Sequence, residues 1–309
     1  MIFFLTLLTT SIALFLTTAW PRLSTPHHIA VVLLIPLPYL FTYLSATSTT
    51  SILTPSNHST HLTSYPYDHT LYHPGRPCRT CHFAKPARSK HCSICRACVA
   101  RMDHHCVWIN NCVSGDNLRW FLALVISLAV ILVYGASLAY SVLQSDYAAL
   151  SEEVRNRGFL DKLSIVVARN PSLGAVGLLA ALSAPLAIGL LAYHVYLVWA
   201  GTTTNETGKW GDLRWDMADG VVWKGDRSVV YGNKADGVEE VDGGNTTWPG
   251  TSDQVVVRTT DGRPPRGAGV EERAGQEAWT RCWSLDEVEN IYDLGFWDNL
   301  RDALNIGVS

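Results

Sequence analysis

The chain has 309 residues, 48% of them hydrophobic, with 24 Lys/Arg against 27 Asp/Glu and a formal net charge of -3. That length suits one or two soluble domains, but the apolar residues gather in long uncharged blocks, which excludes a purely soluble globule. Nothing in the composition calls for a nucleic-acid partner.

The first block, Ile2–Trp20, has no Lys or Arg ahead of it and exceeds the ~7–15-residue apolar core of a signal peptide, so it is read as a membrane span and not a cleaved leader. The second, Ile29–Ala46, is shorter and holds Pro36 and Pro38, whose freed backbone groups neighbouring helices can satisfy. Phe121–Leu143 and Ser172–Trp199 are also free of charge. Each block approaches or exceeds the ~20 residues that cross ~30 Å of hydrocarbon. The expected fold is an α-helical integral membrane protein with four transmembrane helices: two in residues 1–46 and two in 121–199.

Between the two pairs lies segment 47–120, whose stretch CRTCHFAKPARSKHCSICRACVARMDHHCVWINNC (78–112) holds seven of the eight cysteines and four of the eleven histidines. Two CxxC pairs this close are a strong metal signal, because each places two thiolates on one ion without strain. An odd cluster of seven thiols suits metal binding in a reducing compartment better than a disulfide framework. Lys85, Arg88 and Lys90 lie among them and are expected to favour the thiolate forms. Spacing leaves Cys106 open: beside His104 and His105 it can be a ligand or a nucleophile.

Segment 47–120 carries eight basic residues, whereas the turn PRLSTPHH between the first two spans carries only Arg22. The positive-inside bias therefore puts the cysteine segment and both termini in the cytosol. The Asn-x-Ser/Thr sequons at Asn57, Asn205 and Asn245 then go unglycosylated. The loop Gln144–Pro171 is less decisive: four basic residues meet four acidic ones, and acidic residues count little in this rule. His194, the one ionisable group within a span, is read as a helix-contact or interfacial residue, which gives little support to a transporter.

The C-terminal region, 200–309, changes character. Repeated Asp-Gly and Gly-Gly steps over 220–276, without apolar periodicity, predict loop or disorder. Ser284-Leu-Asp-Glu287 has capping-box form and predicts a short helix stopped by Gly295; the amphipathic run FWDNLRDALN predicts a surface helix packing on the domain.

The run C-x2-C-x9-HC-x2-C-x2-C-x4-DHHC-x5-C-x4-N, with Lys85-Pro86-x-Arg88 inside it, resembles the DHHC cysteine-rich domain of protein S-acyltransferases (palmitoyltransferases). TTNE at Thr203–Glu206 matches that family's TTxE element, and NIYDLGFWDNL at Asn290–Leu300 resembles its C-terminal element. The resemblance implies a cytosolic domain of short β-hairpins around two structural Zn2+. Cys78, Cys81, His91 and Cys98 would hold one ion, and Cys92, Cys95, His105 and Cys112 the other. It further implies Cys106 as nucleophile, His104 as its base and Asp103 as the group orienting that base, with Thr203 or Thr204 supporting Asp103. The implied reaction takes a long-chain acyl group from acyl-CoA (palmitoyl-CoA) to Cys106, and then to a juxtamembrane cysteine of a membrane protein. Basic residues of the segment can meet the CoA phosphates, or equally face solvent or the anionic leaflet. His82 is left as an exposed loop residue. The run GKWGDLRWDMADGVV after TTNE resembles the fungal endoplasmic reticulum branch, which acylates SNAREs and often has a longer N-terminus, so a truncated or mis-started chain is one expectation. Two departures stand out: Tyr72-His73-Pro74-Gly75 replaces Asp-Pro-Gly, and Ser114 replaces the Gly after Cys-Val. The rival class is a zinc-stabilised membrane scaffold without activity.

Overall fold

The computed structural model describes residues 1–150, 154, 157–231, 246–265 and 278–307. In chain order its helices and strands are α1 (Ile2–Ala19), α2 (Thr25–Leu34), α3 (Pro36–Thr47), α4 (His58–Leu62), β1 (Lys90–Cys92), β2 (Ala97–Val99), β3 (Met102–Cys106) and β4 (Asn111–Ser114). There follow α5 (Leu118–Ala148), α6 (Phe159–Arg169), α7 (Pro171–Trp199), α8 (Thr204–Ala218), β5 (Val222–Asp226), α9 (Arg227–Tyr231), β6 (Gln254–Arg258), β7 (Trp279–Arg281) and α10 (Phe296–Ala303). They form two compact units: Met1–Thr47, Val107–Asn110 and Trp120–His194 in one, and Ser48–Cys106, Asn111–Arg119 and Val195–Ser309 in the other.

Four helical stretches are long and apolar enough to cross a bilayer: Ile2–Arg22, Thr25–Thr47, Leu118–Ala148 and Pro171–Trp199. The expected four spans are there, and the chain is a multi-pass membrane protein. Pro36 marks the break between α2 and α3, as its missing N–H requires. Within the first unit, Phe15, Ala19, Val31, Leu138, Ala139, Val142 and Leu173 share one buried cluster. Lipid tails are as apolar as these side chains, so close packing rather than the hydrophobic effect must hold the helices together. Gly177 allows it: a Cβ there would lie 2.9 Å from the Ala139 methyl. Gly177→Leu is expected to force α7 off α5 and cost about 1–3 kcal/mol, seen as a lower melting midpoint of the detergent-solubilised protein. At the far ends of spans one and three, Asp146 accepts from Arg22 (2.8 Å) and from Asn170 (2.8 Å). His194 is buried, with its Nδ1 2.9 Å from the Leu190 carbonyl and its ring 5.1 Å from that of Phe121, a helix-contact residue as expected.

The second unit contains two antiparallel hairpins, β1–β2 and β3–β4, and a three-stranded antiparallel sheet in the order β6-β5-β7. That sheet corrects the expectation of loop or disorder over 220–276, since β5, α9 and β6 all fall inside it. Val222 and Val256 join Leu213 and Met217 of α8 and Cys282 in a buried cluster. Only the parts of 220–276 numbered 232–245 and 266–277 lie outside the described residues, and Asn245 is among them. The capping box at Ser284 forms, but it opens a single 3-10 turn, Leu285–Glu287. Gly295 does not stop that helix. At φ 86° it precedes α10 as its N-cap, a conformation L side chains resist.

α10 packs on the unit as expected, burying Asn299 and Ala303. Asn299 donates to the Trp199 carbonyl (3.2 Å) and Asn290 to that of Ala200 (3.3 Å). These are the orphan acceptors at the end of α7, which a helix terminus must satisfy from outside. Gly201, at φ 58°, fits because a Cβ would lie 2.5 Å from Asp293 Cα.

Candidate active site

The two hairpins sort the cysteine segment by side-chain alternation. Successive residues of a strand point to opposite faces, so adjacent His91 and Cys92 can serve different groups. Cys78, Cys81, His91 and Cys98 bring their ligand atoms together within 4.8 Å, and so do Cys92, Cys95, His105 and Cys112. Strand register does part of this, pairing His91 with Cys98 and His105 with Cys112. His91 Nδ1 lies 3.6, 3.4 and 3.8 Å from the sulfurs of Cys78, Cys81 and Cys98. His105 Nδ1 lies 3.6, 3.3 and 3.6 Å from those of Cys92, Cys95 and Cys112. A tetrahedral zinc with Zn–S near ~2.3 Å and Zn–N near ~2.05 Å has N···S edges of ~3.6 Å, so both sets fit the ion. The N–H groups of Cys81 and Cys95 donate to the Cys78 and Cys92 sulfurs, each at 3.4 Å. Burial opposes a Cys78 thiolate, but the N–H donors of Cys81 and Thr80 outweigh it and bring the thiol down to about 7. Bound there, Zn2+ acts as a cross-link with a closed shell.

Cys106 belongs to neither cluster. In β3, His104 and Cys106 are two apart and share one face, while His105 between them turns to the other and into the second cluster. Cys106 is buried and its side chain hydrogen-bonds that of His104. The pairing of β3 with β4 shifts register between Met102 and His104, which leaves Asp103 as the extra residue of a bulge. The bulge brings the Asp103 carboxylate 2.6 Å from His104 Nδ1. Burial opposes the imidazolium, yet the bonds to Asp103 and Cys106 prevail and lift His104 to about 9. Asp103 is likewise penalised by burial and still held below the usual carboxylate range by His104 and by a backbone N–H.

That N–H belongs to Thr204 and lies 2.9 Å from Asp103 Oδ1. Thr204 is the first residue of α8, so the carboxylate caps a helix N-terminus, where negative charge is favoured. Thr203 is the N-cap of α8 and turns its hydroxyl to the helix instead: it accepts from the Glu206 N–H (3.2 Å), while Glu206 Oε2 accepts from the Thr203 N–H (3.0 Å). His82 is exposed, with φ 59°. The Ser114 departure leaves its turn intact: Asn117 Oδ1 accepts from the Ser114 N–H (2.9 Å), and its amide donates to Cys112 O (3.0 Å).

Reading the sequence missed the ion pair beneath this site. Arg88 sends Nε and Nη2 to Glu206 Oε1 and Oε2 at 2.8 and 2.7 Å, and both side chains are no more than 2% exposed. Arg88 is therefore not aimed at the thiols or free for a phosphate, which corrects its expected role. Tyr72, from the departing Tyr-His-Pro-Gly run, donates a further side-chain bond to Glu206 (3.2 Å), and the guanidinium also lies 4.6 Å from the Tyr292 ring centroid. The clue lay in KPAR and TTNE, each noted for other reasons.

A multi-pass helical membrane protein with two Cys3His clusters and a His-paired cysteine outside both defines a zinc-stapled thiol site. The DHHC palmitoyltransferase family model matches residues 71–211. The chain is 43% identical to the palmitoyltransferase swf1 of Aspergillus fumigatus, over 99% of this chain and 86% of that one. It is 42% identical to the palmitoyltransferase SWF1 of Neurospora crassa, over 98% and 74%, and 35% identical to the palmitoyltransferase ZDHHC4 of Bos taurus, over 59% and 56%. The chain belongs to the DHHC palmitoyltransferase family.

Proposed function

We propose that this protein S-acyltransferase uses Cys106 as its nucleophile, His104 as the base and Asp103 as the group that orients His104. The observation carrying this reading is the Asp103–His104–Cys106 chain, with His104 and Cys106 on one face of β3 and His105 turned away into a metal cluster. A free thiol is mostly protonated at neutral pH; His104 takes that proton, and Asp103 fixes the tautomer and stabilises the imidazolium. The thiolate attacks the thioester carbonyl of a long-chain acyl-CoA. The new S–C bond forms as the bond to CoA breaks, and the departing CoA thiolate recovers the proton from His104. In the second step a substrate cysteine, deprotonated by the same imidazole, attacks the acyl-enzyme and Cys106 leaves as thiolate. Thioester replaces thioester throughout, so no nucleotide hydrolysis is needed.

Membrane residence suits the substrate. Burying a methylene is worth ~0.8 kcal/mol, so drawing a palmitoyl tail into water costs on the order of 12 kcal/mol, a cost avoided when the tail stays in the bilayer. The acceptors are membrane proteins with juxtamembrane cysteines, SNAREs among them, in the endoplasmic reticulum with the site facing the cytosol. The eight basic residues of 47–120 support that orientation.

Purified protein incubated with labelled palmitoyl-CoA is expected to acquire a hydroxylamine-sensitive adduct that peptide mapping places on Cys106. An adduct mapping elsewhere, or none in protein retaining its zinc, removes Cys106 from the role.

A further inference from the structure

The segment between spans three and four reads in sequence as a charge-balanced loop, yet residues Phe159–Arg169 form the helix α6. At 3.6 residues per turn, Phe159, Leu160, Leu163, Val166 and Val167 occupy one sector, and the opposite one carries Asp161 and Ala168 with a single large apolar residue, Ile165. Val166 is buried within the unit, but Phe159, Leu160 and Leu163 are 66%, 75% and 40% exposed. The apolar sector is thus wider than the protein covers, and the uncovered part is continuous with the buried part.

Where this helix sits is set by its C-terminal end. A single residue, Asn170, separates α6 from the spanning helix α7, and its amide donates to Asp146 near the end of spanning helix α5 (2.8 Å). Asp146 also holds Arg22, in the turn closing the first span (2.8 Å). Gly174, in the first turn of α7, packs against Val167 so closely that a Cβ would meet its Cγ1 at 2.9 Å. The end of α6 is therefore pinned where three spans run out of apolar sequence, at the edge of the hydrocarbon. Toward its other end, Lys162 Nζ lies 5.7 Å from the Tyr147 ring centroid, and that ring lies 6.4 Å from Phe159. A cation over an aromatic ring beside exposed Phe and Leu is the arrangement of a side chain snorkelling at a lipid interface.

We propose that α6 lies in the plane of the bilayer, with Phe159, Leu160 and Leu163 inserted at the boundary between phospholipid headgroups and acyl chains. Continuity decides for lipid over a protein partner: α6 leads straight into a spanning helix, and its uncovered face extends a face already buried against those spans. The surface is independent of the catalytic assignment.

The test uses the full-length protein in nanodiscs of radiolabelled phosphatidylcholine, with a benzophenone amino acid replacing Leu160, Leu163, Asp161 or, as the lipid-facing reference in α7, Leu182, which is 63% exposed. Photolysis is expected to label the variants at 160 and 163 with lipid about as strongly as that at 182, and the variant at 161 several-fold less. Labelling at 160 no stronger than at 161, or adducts to protein in place of lipid, overturns the proposal. Hydroxyl-radical footprinting of the unsubstituted protein in the same nanodiscs gives a reading free of any folding defect. Phe159 and Leu160 are expected to oxidise several-fold more slowly than in a free peptide of the same sequence, and equal rates overturn the proposal as well.

Discussion

Cys106→Ser is expected to abolish the hydroxylamine-sensitive palmitoyl adduct while the protein keeps both zinc ions. The two halves of this result rest on different geometry. Serine removes the thiol hydrogen-bonded to His104, and an alkoxide forms far less readily than a thiolate, so acyl transfer is expected to fall by about three orders of magnitude or more. Zinc is spared because Cys106 Sγ lies in neither ligand cluster and its strand neighbour His105 points the other way. The hydroxyl is a near isostere in a buried position and retains His104 as a partner, so the stability change stays within about 1 kcal/mol. Two measurements on one preparation decide it: metal content by elemental analysis and thioester labelling by gel. Zinc falling from two ions to one per chain would make Cys106 a ligand and end the assignment. Undiminished labelling in zinc-replete protein would favour a scaffold whose acylation lies elsewhere.

How much of this was legible beforehand varies with the kind of interaction. Uncharged runs announce spans because the bilayer's demand is compositional, and all four spans fall where those runs do. The cysteine spacings announce metal sites for a similar reason, since ligand chemistry admits few residue types. The sheet was hidden because its strands are short, five residues for β5 and β6, and lie far apart in sequence. Their signals, VVW and QVVVR, were outweighed by the Asp-Gly steps around them. Thr203 and Thr204 were both candidates to support Asp103, but which of their atoms does so was hidden: it is the backbone N–H of Thr204, which any non-proline residue would supply. What TTNE encodes at that point is the cap that starts α8 in the right place. The bulge at Asp103 depends on the register of a whole hairpin, which no single residue type records.

Glu206→Ala is expected to be the most damaging change outside the proposed triad and the two Cys3His clusters, although Glu206 belongs to neither. Deleting the carboxylate strands the Arg88 guanidinium, 1% exposed, with its principal counter-charge gone; leaving such a charge unpaired costs about 3–5 kcal/mol. It also takes away the side chain that receives the Thr203 N–H in the capping box, worth about a further 1 kcal/mol. The consequence reaches the site because α8 begins at Thr204, whose N–H holds Asp103; a frayed first turn lets the carboxylate, and with it His104, leave the geometry that serves Cys106. Glu206→Ala should therefore lower the melting midpoint and the acylation rate together. Arg88→Met combined with Glu206→Leu separates the effects. With both charges replaced by apolar groups, most of the pairing penalty disappears and stability recovers, but the cap stays broken. The expected double mutant melts near wild type and still acylates poorly. A double mutant that recovers both properties would show that the ion pair serves the fold alone, with Asp103 held independently of the α8 cap.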